Sequence, residues 1–130
     1  MLKTGQIETD FVVLDAEKHG HIENNDTNLY QRLDSDYQSF KNCELIACHE
    51  FSHHWPTWEK HPHGDEVVML LAGEITFLLH TDDGIVQQTL SKEGSYLIVP
   101  RDTWHTAKID SFAKVLFVTP GEDTQNKALP

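Results

Sequence analysis

Basic residues are scarce in this chain. Ten Lys and Arg stand against 21 Asp and Glu, a formal net charge of -11 with nine His counted as neutral. Nucleic-acid binding needs clustered Lys and Arg to neutralise phosphates, so this balance argues against such a partner. It argues equally against an anionic membrane surface. Cysteine is sparse too: Cys43 and Cys48 are the only two. Their odd separation would put them on opposite faces of one strand, so no disulfide is expected and a reducing cytoplasm fits. No apolar run approaches the length of a membrane span. The opening Met1-Leu2-Lys3-Thr4-Gly5-Gln6 lacks the apolar core of a signal peptide.

At 130 residues, one domain with its own hydrophobic core is expected. Phe11-Val12-Val13-Leu14 reads as a short strand, and residues 15–26 as polar loop. Residues 27–36 are the one helix candidate: Thr27 can cap it, and Leu29, Leu33 and Tyr37 lie four apart on one face. From Cys43 the chain becomes a succession of strand-like runs over residues 43–51, 66–72, 74–80, 85–90, 96–99, 105–109 and 113–119. Asp82-Asp83-Gly84, Lys92-Glu93-Gly94 and Pro100-Arg101-Asp102 separate them with turn chemistry. Many short strands with regular turns predict an all-β antiparallel sandwich or barrel. In the last run Val115, Phe117 and Thr119 share one face while Leu116 and Val118 share the other. Both faces are apolar, so the outer one needs cover from the N-terminal segment or from a second subunit, and a homodimer is predicted.

Two stretches carry the chemistry. The first is Trp58-Glu59-Lys60-His61-Pro62-His63-Gly64-Asp65-Glu66; the second runs from Gly94 through Pro100 to His105. In extended chain Glu59, His61 and His63 point the same way, because side chains alternate with period two. Glu66 then opens the next run, with Val68 and Leu70 on its face, and His105 opens a run after the Pro100 turn. Imidazoles and carboxylates meeting at one point suit Fe(II), Mn(II), Ni(II) or Zn(II). The remaining histidines, His19, His21, His49, His53, His54 and His80, are expected at the surface or in loops. Trp58 and Trp104, which flank the ligand stretches, and Tyr96, on the strand leading to Pro100, are candidates for a substrate pocket.

Glu66-x6-Gly73 resembles the end of the first motif of the cupin superfamily, and Gly94-x5-Pro100-x-Asp102-x2-His105 resembles the second. The resemblance spans roughly residues 43–119. It implies a small single-domain cupin: an antiparallel double-stranded β-helix, or jelly-roll barrel, with a short N-terminal helix and a metal site inside. Residues 1–41 would pack on the barrel, residues 42–120 would form it, and residues 121–130 would be a polar, loosely held tail. Counting back from Glu66 at the family's spacing puts the two family histidines at Glu59 and His61. Two ligand sets stay open: Glu59, His61, Glu66 and His105, or a set in which His63 replaces Glu59. The family's second-motif glycine is Asp102 here, a residue that tolerates left-handed backbone, and its closing asparagine is Ile109. The resemblance implies a divalent transition metal and a small-molecule ligand. It fits a dioxygenase, isomerase or lyase, or alternatively a non-catalytic ligand-binding or sensing barrel.

Overall fold

Side-chain alternation decides which residues enter the space between the sheets. Along β5 (Glu66–Gly73), Glu66, Val68 and Leu70 are buried while Val67, Met69 and Leu71 are half-buried on the other face. The same two-residue rhythm governs β10 (Ala113–Thr119), where Ala113, Val115 and Phe117 are buried. It also governs β6 (Ile75–Thr81), through Ile75, Phe77 and Leu79. These inward rows meet in one core cluster with Trp55, Val99, Ala107 and Ile109.

The computed structural model describes residues 2–129. The other strands are β1 (Asp10–Leu14), β2 (Gly20–Asn24), β3 (Glu44–Phe51), β4 (Thr57–Lys60), β7 (Gly84–Leu90), β8 (Tyr96–Val99), β9 (His105–Lys108) and β11 (Gln125–Ala128), with one helix, α1 (Leu29–Asp36). They form two antiparallel sheets, ordered β2-β1-β3-β10-β5-β8 and β11-β4-β9-β6-β7. This is the expected all-β jelly-roll architecture. The ladders of the two sheets do not join into a closed hydrogen-bonded cylinder among the described residues. The second cluster, with Phe11, Val13, Leu29, Leu33, Phe40, Leu45 and Ala47, seats α1 against β1 and β3. No described helix is long and apolar enough to cross a membrane. Cys43 and Cys48 are both buried and free.

Three local expectations are corrected. Residues 20–24, read as loop, form β2 on the open edge of β1, and residues 125–128, read as loosely held, form β11 on β4. Both strands are held through the backbone ladder and carry no buried side chain, so neither leaves an apolar alternation to read. The helix starts after Asn28 rather than at Thr27. There the Asp26 carboxylate accepts the Asn28 N–H at 2.9 Å and pairs with Arg32 at 2.7 Å, a role Thr27 cannot fill with a neutral hydroxyl.

Candidate metal centre

The two chemistry-bearing stretches, about 45 residues apart in the chain, are stitched together by backbone. Glu59 on β4 stands opposite His105 on β9 in the ladder, so both side chains leave the sheet on one face. Asp102, held at φ 58°, donates its N–H to the His61 carbonyl at 2.9 Å. The Arg101 N–H reaches the Asp65 carboxylate at 2.8 Å. The left-handed backbone at Asp102 thus serves the turn in place of glycine.

Glu59, His61 and His105 offer ligand atoms that all lie within 4.8 Å of one another. Glu66 closes the group from the facing sheet: its Oε2 is 3.3 Å from His61 Nε2 and its Oε1 is 3.2 Å from His105 Nε2. Glu59 Oε1 is 3.1 Å from His61 Nε2. His61, Glu66 and His105 are buried, and Glu59 opens toward the cavity.

Hydrogen bonds behind the ring nitrogens fix the tautomers. His105 Nδ1 lies 3.0 Å from the Thr103 carbonyl, which can only accept, so Nδ1 carries the proton and Nε2 presents its lone pair. His61 Nδ1 lies 2.8 Å from Thr124 Oγ1, and that hydroxyl donates onward to the Gly121 carbonyl at 3.0 Å. The threonine therefore accepts from His61, and its Nε2 also faces the cluster. Thr119 donates to Glu66 Oε2 at 2.6 Å. Buried polar atoms almost always find a partner, yet His61 Nε2, His105 Nε2 and Glu66 Oε1 make no directed hydrogen bond. Three adjacent buried ligand atoms without a directed hydrogen bond, each oriented from behind, fit a divalent cation once the His61 proton is displaced.

Electrostatics agree with the donor set. Burial disfavours charge on both His61 and Glu66. Glu59 and Glu66 outweigh it at His61 and raise that imidazole to about 9. At Glu66, the neighbouring His105 and His61 outweigh it and hold the carboxyl well below its usual range. A metal takes neutral imidazole, so binding must displace the His61 proton below pH 9, while Glu66 is already ionised. Affinity is therefore expected to rise with pH up to about 9 and level off above it. Titration calorimetry at pH 7.5 in buffers of different ionisation enthalpy should show roughly one proton released per metal; a value near zero would contradict this electrostatic account.

His63 does not join the cluster. The β4 ladder ends at Lys60, and the Pro62-His63 turn breaks the alternation that would have aligned His63 with Glu59 and His61. His63 instead pairs with Asp123 at 2.9 Å on the surface. None of the three proposed pocket aromatics lines the cavity. Trp58 alternates to the face opposite Glu59 and packs at a tilt against His80, with ring centroids 4.5 Å apart. Trp104 lies on the outside between the Lys60 and Lys127 ammoniums, at 4.8 and 4.5 Å. Tyr96 is exposed on the edge strand β8.

The cluster opens into a cavity of about 1030 Å³, walled by Phe40, Leu45, Phe51, Trp55 and Phe117, with Tyr30 of α1 also on its lining. His49, expected at the surface, faces this cavity from β3. It packs edge-on to Phe11 at 5.3 Å and near Phe117 at 5.8 Å. Burial pushes its imidazole below the ordinary value, with Glu59 opposing. Sequence reasoning also passed over Thr119, Thr124 and Trp55. Thr119 shares a face with Val115 and Phe117 and could have been placed by alternation. Thr124 lies in a polar tail with no periodic signal. Thr124→Val is expected to weaken metal binding about 10- to 100-fold with little loss of stability, because the side chain is at the surface; competition titration against a fluorescent chelator would check it.

No protein-family model matches the chain, and no curated protein does. Solved structures do. Peruvianin-I, described as a cysteine peptidase from Thevetia peruviana latex, matches with TM-score 0.55 and 17% identity, over 67% of this chain and 57% of that one. An oxalate oxidase matches with TM-score 0.52 and 15% identity, over 62% of this chain and 44% of that one. Oxalate oxidase in complex with glycolate matches with TM-score 0.53 and 14% identity, over 63% and 45%. The match spans about half the length of these neighbours. At such identities the likeness is one of fold, and the chain has the cupin fold.

Proposed function

We propose that this protein holds a divalent transition metal on Glu59, His61, Glu66 and His105 and acts on a small organic molecule in the adjoining cavity. The observation that carries the reading is the set of buried ligand atoms without a directed hydrogen bond, His61 Nε2, His105 Nε2 and Glu66 Oε1. Two imidazoles and two carboxylates suit Fe(II), Mn(II), Ni(II) or Zn(II). The ion would supply Lewis acidity or a redox centre. The chain itself supplies the ligand tautomers through Thr103 and Thr124, a carboxylate oriented by Thr119, and an apolar wall that excludes water. A dioxygenase, isomerase or lyase reaction fits this arrangement, and the likeness in fold to oxalate oxidase is in keeping with it.

Elemental analysis of protein purified without chelator tests the reading. Close to one transition-metal equivalent per chain is expected; less than a tenth of an equivalent, unchanged in Glu66→Ala, would overturn it. Oxygen uptake with small acids and phenols after Fe(II) loading then separates an oxygenase from a barrel that only binds its ligand.

We further propose a single domain, with residues 1–41 packed on a barrel of residues 42–120, that pairs as a homodimer. Ile85, Val86, Tyr96 and Ile98 on the edge strands β7 and β8 are exposed, and edge strands with apolar side chains invite pairing. Light scattering coupled to size exclusion should give twice the chain mass; a monomeric mass at micromolar concentration would remove the dimer.

A further inference from the structure

The aromatic wall of the cavity carries two polar groups that the protein leaves unmatched. Along β3, Leu45, Ala47, His49 and Phe51 face the cavity in alternation. His49 and Trp55 each pack against both Phe51 and Phe117. The imidazole has ring centroids 6.2 and 5.8 Å away, and the indole 5.6 and 6.1 Å away. The indole also lies 6.2 Å from the His105 ring, so this wall borders the ligand cluster. His49 is half-buried. Its ring nitrogens have no hydrogen-bond or ion-pair partner among the described residues, unlike those of His21, His54, His61, His63 and His105. Trp55 lines the same cavity and is buried, with no acceptor for its Nε1 among the described residues. A buried indole N–H usually has one.

Burial keeps the His49 imidazole uncharged at neutral pH, with Glu59 opposing. A neutral imidazole offers one lone pair and one N–H. The lone pair calls for a donor, and the rings around it call for an aromatic body. An uncharged donor suits such a wall, because burying a hydroxyl that keeps its hydrogen bond costs far less than burying a charge. A hydroxyl can also accept while it donates, which matches a wall that holds both an imidazole and an indole N–H. We propose that the cavity takes a neutral hydroxyl compound with an aromatic body, and that His49 holds its hydroxyl by a hydrogen bond. This rests on the cavity being the ligand site of the proposed function, and names the class of ligand for it. It does not require the metal, because His49 lies outside the ligand set.

Titration calorimetry on the full chain after chelator treatment tests it with 2-naphthol and 2-methoxynaphthalene. The two probes share a ring system and an oxygen, and methylation removes only the donor. 2-Naphthol should bind about five- to tenfold more tightly. His49→Phe keeps a ring in place and should remove that preference, leaving the ether within about twofold of its original affinity. Ring-nitrogen NMR of the unmutated chain, with His49 assigned through His49→Gln, gives a readout that does not depend on how well the His49→Phe chain folds. The His49 acceptor nitrogen should shift several-fold more with 2-naphthol than with the ether. Equal affinity for the two probes, no binding of either, a preference that survives His49→Phe, or equal nitrogen shifts would each overturn the proposal. Its failure is separable from failure of the metal reading. A chain that binds no metal yet shows the His49-dependent preference keeps this inference, and a chain that binds metal but shows no such preference loses only this inference.

Discussion

His105→Ala is expected to reduce metal affinity by more than about a hundredfold, since loss of a group that merely orients a ligand already costs 10- to 100-fold. His105 is completely buried, its Nδ1 is committed to the Thr103 carbonyl, and its Nε2 faces Glu66 Oε1 at 3.2 Å without a directed hydrogen bond. His63→Ala is the matched control. It removes an imidazole two residues from His61 that faces solvent and Asp123, and it should leave affinity within about twofold, as surface changes usually do. Metal content after dialysis and a competition titration would measure both. Comparable losses in the two variants would return His63 to the ligand set and count against Glu59.

Gly73→Ala should be the most damaging conservative change outside the cluster. Gly73 sits at φ 81°, and a Cβ there would lie 2.1 Å from the Phe112 carbonyl oxygen, a backbone atom that cannot swing aside. Positive φ and a backbone clash together should cost roughly 3 kcal/mol and lower Tm by on the order of 10 °C. Gly94→Ala is the comparison. Gly94 also has positive φ, 85°, but nothing lies within 4 Å of the added Cβ. Only the conformational preference is lost there, about 1 kcal/mol. Thermal melts of the two variants would separate close approach from conformation; equal shifts would show that the crowding at Gly73 is relieved by movement of β10. The two motif glycines thus answer to different constraints, one to a neighbouring strand and one to its own turn.

The strands that build the core were legible because their burial alternates. Glu66, Val68 and Leu70, or Val115 and Phe117, announce their inward face in the order of residues alone. The same period placed Glu59 beside His61 and brought Glu66 to the end of an apolar row. It failed at His63, where a proline turn ends the strand and the alternation with it, but held at Trp58, which it sends away from the cavity. It was silent on β2 and β11, whose stability comes from backbone pairing against a neighbour. It was silent too on Thr124, whose tail is unremarkable until β11 docks on β4 and brings the hydroxyl to His61.

The sequence by itself determined the all-β class, the inward rows, the ligand-bearing residue types and the acidic balance of the surface. These are properties of residue order and composition, and they survive any rearrangement of the loops. Which histidines face the cluster, which nitrogen each presents, and which aromatics line the cavity were decided only by the tertiary structure. Those depend on where two sheets and a polar tail meet, since contacts between residues as far apart as His61 and Thr124 have no local signature.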